Sequence, residues 1–137
     1  MIYTSNYARK GADENAFGIS IAVPNWFDGR RLSQLAPTWE LVCGIQQGDI
    51  DNDTYRRKYI ELLESRRSNK LNLDYLLSSL PSPSYLLCYE APGEFCHRRV
   101  FAEWVEEKCG LVIPEWKNPK EEEETKQREV VDNLFDF

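Results

Sequence analysis

"YLLCYEAPGEFCHRRVFAEWVEEKCG", residues 85–110, is the stretch whose reading decides the fold. It opens on a short apolar run, residues 85–90, too uniformly apolar for a strand with one wet face. It therefore reads as a buried parallel strand. "APGEF" follows, with adjacent Pro and Gly, and reads as a loop. From residue 96 to 109, Val100, Phe101, Trp104 and Val105 recur at helical spacing, and Gly110 is a natural helix end. A buried strand that feeds a helix through a short loop points to an α/β domain with a mainly parallel sheet.

Working outward, "MIYTS" reads as a first strand and "NYARKGADENA" as a polar loop. "FGISIAV", residues 17–23, alternates and is rich in β-branched residues, so it reads as a second strand. "PNWFDGRR" reads as a turn. "TWELVCGIQQG" fits a helix that Gly48 ends, though its apolar centre also fits a strand. Residues 51–66 form the clearest helix, with Asp51, Asn52 or Asp53 as cap and Tyr55, Tyr59, Ile60, Leu62 and Leu63 as its apolar face. "NLDYLLSSL" predicts a short helix with Leu73, Leu76, Leu77 and Leu80 inward, stopped by "PSPS". "LVIPEW" reads as a last strand broken by Pro114. The order of elements predicts one compact α/β domain over residues 1–115, its sheet flanked by helices, and an acidic tail over residues 116–137.

The charge of −6 is uneven: residues 1–114 hold 13 Lys/Arg against 15 Asp/Glu, and the remaining residues hold 4 against 8. A nearly neutral domain lacks the basic footprint of a general duplex-DNA binder. No run approaches the ~20 apolar residues that cross a bilayer. "MIYTSNYARK" lacks the apolar core of a signal peptide, so a cytoplasmic protein is expected, with no membrane partner. Cys43, Cys88, Cys96 and Cys109 are then expected to be thiols.

The reactive side chains gather at the strand-to-helix turn: Cys88, Glu90, Cys96, His97, Arg98 and Arg99. Four readings compete. In the first, backbone N–H groups at the helix start, with Arg98, grip the phosphate of a nucleotide or other small molecule. In the second, the turn is purely structural. In the third, Cys96 is a nucleophile whose thiolate is favoured by the helix N-terminus and by His97 and Arg98. The arginine of a cysteine-phosphatase loop would fall at Ala102, inside the helix, so that class does not match. In the fourth, Cys88, Cys96, His97 and Glu90 hold a metal. Adjacent Cys and His rarely aim at one ion, so no metal or other cofactor is assigned. The phosphate reading ranks first.

These residues resemble the domain of unknown function 488 family. Its pattern of Cys-x-Glu closing a strand, then Cys-His-Arg opening a helix, stands here as Cys88-Tyr89-Glu90 and Cys96-His97-Arg98. "IYTSNYAR", "ISIAVPNWFDG", "LAP" and "DTYRRKYIELL" resemble small bacterial and phage members over about residues 1–115. The resemblance implies a compact α/β fold and a pocket near the turn, without fixing a reaction. It assigns Glu90, Cys96 and His97 as catalytic candidates. Arg98, Cys88, Ser5, Tyr55 and Tyr59 are ligand-binding candidates, with Tyr3 and Thr4 as weaker ones. Trp26 and Phe27 offer an aromatic wall for a ring, although ordinary packing explains them as well.

The tail contains "EEEE" and ends "NLFDF". Such a charge run is expected to be solvated. Leu134, Phe135 and Phe137 nevertheless resemble the Leu-Phe end of bacterial sliding-clamp binding peptides, with Val131 where that motif prefers Gln. They also resemble the tips of single-stranded DNA-binding proteins, which end Pro-Phe. A protein partner for the tail is the third functional reading.

Overall fold

The structure, a computed structural model, describes residues 1–121. Four strands form one all-parallel sheet in the order β1-β4-β2-β3. They are β1 (Ile2–Asn6), β2 (Ala16–Gly18), β3 (Arg30–Arg31) and β4 (Ser84–Cys88). The helices are α1 (Tyr7–Lys10), α2 (Trp39–Gln46), α3 (Asn52–Asn69), α4 (Leu73–Ser79) and α5 (His97–Cys109), with a 3-10 turn at Ser33–Leu35. β4 enters the sheet last yet lies between β1 and β2, and all five of its residues are buried. A central parallel strand is covered on both faces, which is why its sequence is continuously apolar.

Alternation along the strands sorts the core into two layers. Phe17 and Leu86 join the larger cluster with Tyr55, Tyr59 and Leu63 of α3 and Val100, Phe101, Trp104 and Val105 of α5. Ala16, Tyr85 and Leu87 face the other way, onto Tyr7 and Phe27. Cys88 shares the parity of Leu86 and so faces α5. Ser5 registers with Leu87 and Asn6 with Cys88, so Ser5 lies on the opposite face.

The local chemistry accounts for the helix boundaries. Asp51 caps α3 by accepting from Thr54 N at 2.8 Å, and Thr38 caps α2 by accepting from Leu41 N at 3.3 Å. The second cap settles "TWELVCGI" as helix rather than strand. α5 ends at Gly110, whose φ of +71° is left-handed, and its N–H reaches Glu106 O at 2.9 Å.

The structure corrects four boundaries and one buried face. Part of the expected polar loop is α1, because Asn6 Oδ1 accepts from Arg9 N at 2.9 Å and starts a helical turn. The second strand stops at Gly18, one ladder bond short of Ser20, where Ser20 Oγ donates to Ala22 O at 2.6 Å and turns the chain. The expected turn over residues 24–31 closes in the edge strand β3. Only Leu73 of the predicted inner face of α4 is fully buried; Leu76, Leu77 and Leu80 are partly so. "LVIPEW" makes a single bridge, Thr4 with Glu115, since Pro114 has no N–H with which to extend a ladder.

The expected start of the tail at residue 116 falls inside packed structure. Trp116 packs against the second layer, Lys10 Nζ lies 4.3 Å from its ring centroid, and Arg9 pairs with Glu121. Leu134, Phe135 and Phe137 lie outside the described residues. Among the described residues no helix is long and apolar enough to cross a membrane.

α3 and α5 are also joined by a polar clasp. Glu64 Oε1 accepts from Trp104 Nε1 at 2.9 Å and from Lys108 Nζ at 3.0 Å. The Trp104 indole first, and Lys108 second, hold the Glu64 carboxyl below the usual carboxylate range. A carboxyl whose folded pKa is depressed stabilises the fold above its unfolded pKa and loses that contribution as pH falls through the folded one. Glu64→Gln should therefore cost about 1 kcal/mol or less at pH 7. The difference from wild type in urea midpoint should shrink as the solution is acidified below pH 4, and a difference independent of pH would contradict the assignment.

Candidate functional site

The carboxyl ends of β1, β4 and β2 finish nearly level, at Asn6, Cys88 and Gly18. In a parallel α/β sheet this is the edge where ligands sit. The loop after β4 turns back at Gly93, whose φ of +87° is open to glycine at little cost. It delivers Cys96 to the N-cap of the 13-residue helix α5.

At that cap, Cys96 Sγ accepts from Arg98 N at 3.5 Å. The Cys88 and Cys96 sulfurs touch, with their Cα atoms 7.6 Å apart, wider than the usual span of a disulfide. The end of β4 and the start of α5 thus meet at these two sulfurs, while Cys43 and Cys109 are exposed and apart from them. His97 follows directly and is buried. Its Nε2 lies 2.8 Å from Ile19 O. A carbonyl only accepts, so Nε2 carries the proton and Nδ1 keeps its lone pair. Nδ1 is 3.8 Å from Cys96 Sγ. Burial, offset in part by the Ile19 bond and reinforced by the charge of Arg98, lowers the His97 pKa to about 4. The imidazole is thus neutral at pH 7.

Arg98 is 1 % exposed. Its Nε and Nη2 donate to the two carboxylate oxygens of Glu115 at 3.0 and 2.8 Å. Its Nη1 donates to Cys88 Sγ and to Glu90 O, both at 2.9 Å. This corrects the reading of Arg98 as a residue that grips a ligand. The helix turns its side chain under the sheet edge, and its donors serve the protein itself.

Above the sulfur atoms opens a cleft of about 370 Å³. Cys88, Cys96 and His97 line it, with Glu90, Ser20 and Gln46 as further polar groups and Trp39, Tyr55, Tyr89 and Phe95 as aromatic ones. Among the described residues its lining includes no Lys or Arg. Glu90 Oε2 is buried without a hydrogen-bond partner. The Tyr55 hydroxyl is pushed far above its ordinary pKa by burial and then by the charge of Glu90.

Five of the expected site residues therefore share one cleft: Cys88, Glu90, Cys96, His97 and Tyr55. Three do not. Arg98 is behind the site, and Ser5 is on the far face of the sheet, its Oγ buried and unpartnered. Tyr59 is buried in the core, its hydroxyl donating to Leu35 O at 2.5 Å, while its ring stands edge-on to His97 at 5.4 Å. Of the weaker candidates, Tyr3 stacks on Tyr85, and Thr4 donates to Glu115 Oε1 at 2.7 Å. Trp26 and Phe27 are not the aromatic wall. Phe27 packs against Tyr7, and the ring of Trp26 lies over Gly11, where an added Cβ would fall 2.5 Å from it. The objection that Cys96 and His97 cannot face one point also fails, because a cap residue and the first helical residue can turn inward together. The sequence reading missed Glu115, Trp39 and the Ile19 carbonyl. Glu115 was legible only as an acid near the end of the domain, and a backbone carbonyl leaves no signal at all.

The family model DUF488-N3a, described as the active DUF488-N3 subclade, matches residues 2–109. The chain belongs to that family. No curated protein and no solved structure matches it. Glu115, the partner of Arg98, lies beyond the matched residues.

The Arg98–Glu115 pair yields a direct test. Breaking a buried pair leaves one charge uncompensated, at a cost of roughly 3–5 kcal/mol. Glu115 retains some solvent access, so Glu115→Gln should cost about 3 kcal/mol, at the lower end of that range. Urea unfolding would show it, and a midpoint unchanged from wild type would mean the pair does not hold the turn.

Proposed function

We propose that this DUF488-N3a protein is a thiol-dependent enzyme. In this reading Cys96 is its reacting thiol, and its substrate is a small ring-bearing molecule held in the cleft. One observation carries the reading. Cys96 lies on the floor of an aromatic cleft, at the N-cap of a long helix, with the His97 Nδ1 lone pair beside it. Helix N-termini favour thiolate, and here the Arg98 backbone N–H reaches Cys96 Sγ and its Nη1 reaches Cys88 Sγ. The family description, an active subclade, accords with catalysis.

A disulfide between the touching sulfurs of Cys88 and Cys96 would be the closed form of this site. Two equivalents of a thiol reductant open it, giving two S–H groups and the oxidised reductant. Cys96 Sγ then bonds to an electrophilic carbon of the substrate, and its proton is relayed through His97 Nδ1, which is too weak a base to keep it. The displaced group leaves with the electron pair and takes that proton. Water then cleaves the S–C bond and restores the thiol. Trp39, Tyr55, Tyr89 and Phe95 would flank a flat ring.

A phosphate inside the cleft would meet the Glu90 carboxylate and no lining cation. The reading of a phosphate held at the Cys-His-Arg turn therefore loses its anchor, and a neutral or cationic ring is favoured over an anionic one. The tail-borne partner concerns residues outside the described structure.

The proposal is tested by alkylation of the reduced, folded protein at pH 7, with modified sites located by peptide mass. Cys96, though buried, should react faster than the exposed Cys43 and Cys109. If Cys96 reacts more slowly than those two, it is not an activated nucleophile.

A further inference from the structure

Cys88 Sγ, Cys96 Sγ and a His97 ring nitrogen all lie within 4.8 Å of one another, and all three residues are buried. We propose that, once the disulfide is reduced, these three atoms bind one soft divalent cation of the Zn²⁺ class, leaving its fourth position open to the cleft. This goes beyond the thiol reading, since the site would exist whether or not Cys96 is a nucleophile.

Four features support it. The first is donor chemistry. Two thiolates and one imidazole select zinc-like ions over Mg²⁺ or Ca²⁺, which take oxygen. The second is geometry. Zn–S and Zn–N bonds of about 2.3 and 2.0 Å at a tetrahedral angle set S and N roughly 3.6 Å apart. Cys96 Sγ and His97 Nδ1 are 3.8 Å apart.

The third is the outer shell. Metal-bound histidines donate their other N–H to a fixed acceptor, and metal-bound sulfurs accept hydrogen bonds. Here His97 Nε2 donates to Ile19 O, Cys88 Sγ accepts from Arg98 Nη1, and Cys96 Sγ accepts from Arg98 N. The fourth is charge. The positive charge of Arg98 is already matched by Glu115, so two buried thiolates would lack a counter-charge that a divalent cation supplies. Three protein ligands with an open position is the arrangement of reactive rather than structural zinc sites. The unpartnered Glu90 Oε2 lines the cleft into which that position opens.

Binding displaces the two S–H protons to solvent as two S–Zn bonds form. The disulfide uses the same sulfur atoms, so the bonded pair and the bound ion exclude each other. A filled site would also withdraw Cys96 from attack on carbon.

The test uses the full chain carrying Cys43→Ser and Cys109→Ser, which removes the exposed thiols. The protein is reduced, freed of metal with a chelator, and titrated with Zn²⁺ against a chromophoric chelator, then with Co²⁺. One ion per chain is expected, with a thiolate-to-cobalt charge-transfer band and the visible bands of tetrahedral Co²⁺. The oxidised protein should take up none. Cys88→Ser should weaken uptake beyond the roughly 100-fold that an outer-shell change can cost. Should Cys88→Ser fail to fold, the folded parent still decides: Zn²⁺ should protect Cys96 from alkylation. No uptake by the reduced parent, or uptake without that protection, overturns the metal site. Neither result touches the thiol reading, which rests on alkylation of Cys96 in the metal-free protein.

Discussion

Arg98 is the constraint around which this site is built. A guanidinium with 1 % exposure is tolerable only where its charge and its donors are met. Glu115 meets the charge and two donors, and Cys88 Sγ and Glu90 O meet a third nitrogen. Those partners come from the end of β4, the loop after it and the segment beyond α5. Thr4 Oγ1 of β1 also donates to Glu115, while Arg99 reaches Thr4 and Ile113 O at 2.8 and 2.9 Å. One buried cation thus ties the first strand, the central strand, the first turn of α5 and the chain after it. The cleft lies on the other side of that knot, and its sulfur floor is positioned by it.

Parity decides which side chains reach the cleft. The sheet is parallel and in close register, so a residue and its lateral partner point the same way. Asn6 and Cys88 share a face with α5, whereas Ser5 shares the far face with Leu87. Two polar residues adjacent in sequence, both near the ligand edge, therefore meet different surroundings. Helical rotation, not strand parity, separates the two residues after Cys96: at about 3.6 residues per turn, His97 turns under Tyr59 towards Ile19 and Arg98 turns towards Glu115.

This explains what was legible in the sequence and what was not. The buried β4, the helical spacing of α3 and α5, and their caps are local patterns, and these were readable. So was the concentration of Cys88, Glu90, Cys96 and His97 at one turn, because the two elements that carry them are adjacent in the chain. The direction of Arg98 was not readable. Its partner Glu115 belongs to a segment that "LVIPEW" presents as a strand, and only tertiary packing brings it under α5. Nor was the edge strand Arg30–Arg31, since two residues carry no periodicity. Nor was the meeting of the two sulfurs readable: the eight-residue separation of Cys88 and Cys96 does not say that a strand end and a helix cap will coincide.

The charge distribution follows from the same knot and narrows the chemistry. A Cys-His-Arg turn suggests an anion site if the arginine is assumed to face outward. Once Arg98 is paired with Glu115, the cleft is left with the Glu90 carboxylate, two sulfurs, a neutral imidazole and aromatic walls. Such a cleft offers a phosphate no cation among its described lining residues, and under the two proposals its sulfurs would meet electrophilic carbon or a soft cation. Both are partners of thiolate, and they compete for the same lone pair. A disulfide, a free thiol pair and a metal-bound pair would then be three states of one set of atoms. Arg98 N–H groups contact both sulfurs, so the arginine whose charge is met by Glu115 also holds the sulfur floor in place.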